Sequence, residues 1–300
     1  MNTRGRLISG LVTTVVALAG FMTAGALPAA AAPSTVDYVA LGDSYAAGTA
    51  APGSSPDCPH GAGGYPALLA DGSESRISLT TNAACSGATI AEVASKQLSA
   101  LDRHTRLVTL TVGAANLSLS RVLDACTNPQ TPDACRAEIG RALALVQDCS
   151  VVEGTLGGDL IKLYGDVAKA APGARIVVTG YPLLFESPAA NDPRAAINEA
   201  TTDLNCVIKQ AVEAAANEAD VNITYVDVTE EFAGHGIVDP RSCTGSSAFI
   251  HSLLICKPDP VADSEAFHPT AAGYAAYADA ISAALPNGWL DKTSRSAASS

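Results

Sequence analysis

The amino-acid sequence predicts a three-layer α/β/α sandwich. Short β-branched runs alternate with longer helical patterns along the chain, the mark of a parallel sheet covered on both faces. Three of those runs stop at a glycine, where ligands of such sheets are met. The chain has 300 residues, 48% hydrophobic and 16% charged, which suits a single well-buried core.

At the N-terminus, Arg4 and Arg6 precede an apolar run from Leu7 to about Ala26, and the alanines at 29–32 offer a small-residue cleavage site. Residues 1–32 therefore read as a secretory signal peptide cut near Ala31 or Ala32, with an uncleaved anchor as the competing reading. No later apolar stretch is long enough to span a bilayer. Residues 33–290 form one domain without an internal repeat or linker, and residues 291–300, small and polar, read as a flexible tail. Within the domain, strands are expected at Val36–Leu41, more weakly at Arg76–Thr80, then at Arg106–Val112, Ala174–Thr179 and Asn222–Val228. Helices are expected at Thr89–Leu101, at Leu160–Ala171 (stopped by Pro172-Gly173), at Arg194–Ala219 and at Thr270–Ala284, which Pro269 introduces. The result is a mainly parallel, flavodoxin-like five-stranded sheet.

Composition excludes several classes. A formal net charge of −12 and the lack of any Lys/Arg-rich run argue against nucleic-acid binding. The eight cysteines contain no C-x-x-C pair, so zinc-ribbon and thioredoxin-like chemistry is not expected. In an exported chain they should pair. Sequence proximity pairs Cys58 with Cys85, Cys126 with Cys135 and Cys243 with Cys256, which leaves Cys149 for Cys206.

Two short segments carry candidate chemistry. After the first strand comes Gly42-Asp43-Ser44-Tyr45, with the serine at a strand-to-helix junction where unpaired N–H groups can meet an oxyanion. On its own this is equally a helix cap. Near the end stands Glu265-Ala266-Phe267-His268-Pro269. A histidine titrates near neutrality and can take a serine proton, and an acid three residues earlier can hold its tautomer. No Gly-x-Ser-x-Gly, His-Glu-x-x-His or P-loop is present in context, so α/β-hydrolase, metalloprotease and NTPase readings fall away.

Together these segments resemble the SGNH (GDSL) hydrolase family, in its secreted actinobacterial esterase/lipase branch, over roughly Val36 to Ala284. The resemblance makes Ser44 the nucleophile and His268 the base. It makes Gly87, in Ala84-Cys85-Ser86-Gly87-Ala88-Thr89, an oxyanion-hole donor beside the Ser44 N–H. Glu265 stands where the family has aspartate, and some relatives orient the histidine with a main-chain carbonyl instead. The third block departs further. The family reads Gly-x-Asn-Asp, whereas this chain reads Gly113-Ala114-Ala115-Asn116. Either the loop shifts and Asn116 enters the oxyanion hole, or the third donor is missing, at a cost of about 10²–10³ in turnover.

The expectation is a secreted, monomeric serine ester hydrolase. It uses no metal or cofactor, binds a small-molecule or lipid ester, and neither binds nucleic acid nor inserts stably into membranes. Leu117, Leu119, Leu183, Leu184 and Phe185 are candidates for an acyl pocket, with plain core packing as the alternative. His251 is a candidate for lining the cleft. The rival functions are a carbohydrate acetylesterase of the same fold, a secreted binding protein weakened in catalysis by Ala115, and a peptidase of the same triad type.

Overall fold

Runs that are apolar on both faces can be buried only if helices cover them from both sides. In the computed structural model, which describes residues 35–51, 58, 61–72, 76–127, 132–218, 221–239, 248–252 and 266–297, five such runs form the strands. They are β1 (Val36–Gly42), β2 (Ile77–Asn82), β3 (Leu107–Thr111), β4 (Arg175–Thr179) and β5 (Ile223–Val226). All pair in parallel, in the order β2-β1-β3-β4-β5. Each expected strand is present within two residues of its expected ends, including the weak second one. Every β3 residue is buried, as its central position requires.

The helices are α1 (Ser44–Ala47), α2 (Tyr65–Gly72), α3 (Ile90–Glu92), α4 (Leu119–Thr127), α5 (Pro132–Val146), α6 (Leu156–Ala170), α7 (Pro193–Ala216), α8 (Ala271–Ala284) and α9 (Trp289–Ala297). Right-handed crossovers put α1 and α2 on the opposite face from α3, α6 and α7. In agreement, α2 packs on α8 while α6 packs on α7. Local chemistry starts several of them. Asp43, Thr89, Thr155, Asp192 and Thr270 each cap a helix with a side-chain oxygen, and Thr89 with Glu92 completes a capping box. Pro193 fills the first turn of α7.

Three expectations change. The continuous helix over Thr89–Leu101 is instead α3 followed by a π turn, Val93–Gln97, and a 3₁₀ turn, Leu98–Ala100. The reason lies at the end of β1, an inner strand. The Gln97 carboxamide accepts from Gly42 N–H at 2.8 Å and donates to Gly42 C=O at 2.9 Å, so the turn widens to deliver it. The polar stretch at 291–297, expected as part of a flexible tail, belongs to α9, whose Asp291 pairs with Arg76, while residues 298–300 lie outside the described residues. Helices α2, α4 and α5 have no counterpart among the expected elements. Among the described residues the disulfides Cys58–Cys85, Cys126–Cys135 and Cys149–Cys206 are formed as expected. Cys243, Cys256, Glu265 and residues 1–32 lie outside the described residues.

Candidate active site

The carboxyl ends of β1, β3 and β4 converge, and the turns leaving these strands build the site. At β1, Gly42 has φ +131°, and a Cβ there would lie 2.1 Å from Thr111 C=O on β3. Only glycine permits that close approach. Asp43 N–H then donates to Thr111 C=O at 2.9 Å, which ties the turn to β3. Ser44 is the first residue of α1, partly exposed, and Gly48 in the left-handed region ends the helix at once.

Asp43 is 1% exposed and holds the turn from beneath. Its Oδ1 accepts from Tyr45 N–H at 3.1 Å and its Oδ2 from Tyr181 O–H at 2.5 Å. The Tyr181 oxygen also accepts from Ala114 N–H at 3.2 Å, so one hydroxyl links the turns after β1, β3 and β4. Burial pushes the Asp43 carboxyl up to about 7, against the opposing pull of the bonds from Tyr181 and Tyr45. Tyr181 is fixed in turn by Asn205 of α7, which accepts from its N–H and donates to its C=O. Below, Tyr65 bonds Thr111, and Thr111 bonds Thr179. The buried polar groups beneath Ser44 thus find partners on neighbouring strands and on α7.

Gly87 lies in a turn with φ +77°. Among the described residues no intramolecular acceptor takes the N–H of Ser44 or of Gly87. Both N–H groups are thus left for an external acceptor. Asn116 is bonded to the start of α3. Its Oδ1 accepts from Ile90 N–H at 3.0 Å, three residues beyond Gly87, and its Nδ2 makes no bond among the described residues. The structure therefore brings Asn116 to the Gly87 loop, and Ala115 contributes no polar side chain.

His268 precedes α8. Its Nδ1 lies 3.0 Å from Ala266 C=O. An Nδ1–H donated to that carbonyl leaves the lone pair on Nε2, the tautomer a general base needs. Its ring centroid is 5.6 Å from that of Tyr45, the residue after Ser44. His251 reaches the same loop through its backbone: its N–H donates to His268 C=O and its C=O accepts from Phe267 N–H, both at 2.8 Å. Of the candidate acyl-pocket residues, Leu117, Leu184 and Phe185 are core, Phe185 packing edge-on against Phe267. Leu183 and Leu119 are half-buried, and Leu183 lines a small cavity of about 300 Å³ with Phe185 and Phe232. No group of three or more potential metal ligands occurs among the described residues.

The family model for GDSL-like lipases and acylhydrolases matches residues 40–276. The chain belongs to this family. A lipase of Streptomyces rimosus is 35% identical over 285 residues, covering 91% of this chain and 94% of its own length. Lipase 1 of Streptomyces coelicolor is 34% identical over 280 residues, covering 90% of this chain and 94% of its own length. Among solved structures, the extracellular lipase of S. rimosus has a TM-score of 0.68 at 32% identity, and phospholipase A1 of Streptomyces albidoflavus has 0.68 at 30%. Each covers 84% of this chain and 100% of the solved one. As a GDSL-family member the protein is a carboxylic ester hydrolase, and the three-layer sandwich is the fold it shares with those lipases.

Sequence reasoning missed the supports of the site. In one dimension Asp43 reads only as a cap, and Gln97, Tyr181 and the Ala266 carbonyl do not stand out. Nothing in a single sequence marks Gln97. For Tyr45 the place beside Ser44 is a usable signal.

Proposed function

We propose that this esterase acts by acyl transfer from Ser44 to water. Ser44 Oγ attacks the ester carbonyl while His268 Nε2 takes its proton. The tetrahedral oxyanion is held by the N–H groups of Ser44 and Gly87, with Asn116 Nδ2 as the third donor. Collapse expels the alcohol, which receives the proton from His268. Water, activated by the same nitrogen, then cleaves the acyl-serine. The observation that carries this reading is the 3.0 Å contact between His268 Nδ1 and Ala266 C=O, which supports that carbonyl as a group that orients the base. Glu265 keeps a supporting electrostatic role in this reading.

We also infer export. The N-terminal charge pattern and alanine-rich end favour a signal peptide cut near Ala31 or Ala32, and a relative of similar sequence is described as extracellular. No helix among the described residues is long and apolar enough to cross a membrane. The substrate is taken to be a lipid ester, because relatives at 30% identity or more carry lipase and phospholipase names. The enzyme acts as a monomer in this reading.

Hydrolysis of p-nitrophenyl acetate, butyrate and palmitate by the oxidised mature chain tests the proposal. Ser44→Ala and His268→Ala should each lower turnover by about 10⁴-fold or more. Glu265→Gln should lower it by less than about tenfold. Full activity of Ser44→Ala would end the mechanism, and activity confined to the acetate would favour the carbohydrate acetylesterase.

A further inference from the structure

We propose that Tyr45 is a positioning residue that holds His268 against the nucleophile turn; the inference rests on the serine-esterase reading. Tyr45 is 5% exposed, and its hydroxyl donates to Phe267 C=O at 2.8 Å, across 222 positions of sequence. Phe267 has φ +63°, a left-handed conformation that a bulky aromatic residue adopts only under constraint. That conformation sits directly between the carbonyl that orients the base, Ala266, and the base itself. If Phe267 relaxed to an ordinary φ, Ala266 C=O and His268 would turn relative to one another.

Two constraints oppose the relaxation. The backbone pair with His251 holds Phe267 N–H and His268 C=O. Tyr45 holds the remaining polar group of Phe267, its carbonyl. The Tyr45 ring is wedged edge-on against Tyr181 at 5.2 Å and Tyr277 at 6.1 Å, so the hydroxyl cannot swing away. Because Tyr45 comes directly after Ser44 in the chain, the same residue that fixes the base loop is anchored in the turn that carries the nucleophile. Its N–H is bound by Asp43, and its O–H reaches the histidine loop. The side chain thus sets the spacing between Ser44 and His268.

The test is Tyr45→Phe, which deletes one oxygen and keeps the ring packing. Tyr274→Phe serves as a control, since its hydroxyl is equally buried but donates to Thr49 C=O, outside the histidine loop. Sites are counted by the stoichiometry of fluorophosphonate labelling of Ser44, a reaction that needs the base. Tyr45→Phe should still label about one serine per chain, with labelling rate and kcat per labelled site both about tenfold or more lower and KM within about twofold. Tyr274→Phe should lower Tm and leave both rates within about twofold. Three results would overturn the proposal: Tyr45→Phe rates within twofold of the parent, a rate loss matched by Tyr274→Phe, or loss of the near-ultraviolet circular dichroism of Tyr45→Phe, which would assign the hydroxyl to folding. Failure of the serine-esterase reading shows separately, as turnover retained by Ser44→Ala.

Discussion

The nucleophile turn and the histidine loop are built in opposite ways. The turn at Gly42–Ser44 leaves a buried strand and is pinned from several elements at once: a glycine against Thr111 of β3, an Asp43 cap, and the two-way bond from Gln97. The loop at 266–268 precedes its helix and is held by backbone pairing with His251, a constrained φ at Phe267 and one distant hydroxyl. A nucleophile can be presented by a rigid sheet end, whereas the base must be brought to it from far along the chain. Both rest on contacts distant in sequence: the turn is built into the sheet, and the loop is tied to that turn through Tyr45.

The contrast can be broken first at its rigid side. Gly42→Ala would place a methyl 2.1 Å from a backbone oxygen that cannot move without β3, so a destabilisation of about 4 kcal/mol or more is expected. A thermal melt within a few degrees of the parent would refute the rigid account.

Asp43 sharpens it. With a folded value near 7 above the ordinary 3.8, the carboxyl favours folding below about pH 4, and this contribution is lost as pH rises towards 7. Relative to the parent, Asp43→Asn should gain stability across that window, by roughly 2–4 kcal/mol. A difference between the two proteins that stays flat from pH 4 to 8, by urea denaturation, would contradict the raised value.

Next comes the oxyanion hole. Asn116→Ala should lower kcat by about 10²–10³-fold if Nδ2 is the third donor. Ala115→Asn with Asn116→Asp restores the family order and should equal or exceed the parent. An unchanged kcat for Asn116→Ala, with a gain in the double variant, would show that the parent works with two donors. The smallest effect is expected at the exposed pair Lys96–Glu92, where Lys96→Ala should leave the thermal midpoint almost unchanged. A larger loss would mean that α3 and its π turn depend on that pair.

Much of this is legible in the sequence. The five strands and helices α6, α7 and α8 carry their own periodicity and caps, and Ser44, Gly87 and His268 stand in short, recognisable settings. Helices α4 and α5 are not legible, because the stretch from Leu119 to Val146 is interrupted by polar and proline-bearing residues that read as loop. The buried side chains Leu184 and Phe185 show the same limit, since an apolar residue after a strand serves a pocket and a core equally well. The pairing of Cys149 with Cys206, reached only by elimination, is a property of how the 3₁₀ turn after α5, Gln147–Cys149, docks on α7.

The parallel sandwich and the ester-hydrolase class are written in the chain itself, because hydrophobic periodicity and short motifs are local and survive in one dimension. Only the tertiary structure decided what holds the chemistry in register: Gln97 on Gly42, Tyr181 on Asp43, Ala266 C=O on His268 and Tyr45 on Phe267. Most of these contacts join groups far apart in the chain, and each is made of one or two hydrogen bonds between ordinary residue types. Such partners leave no periodic trace, so folding alone selects them.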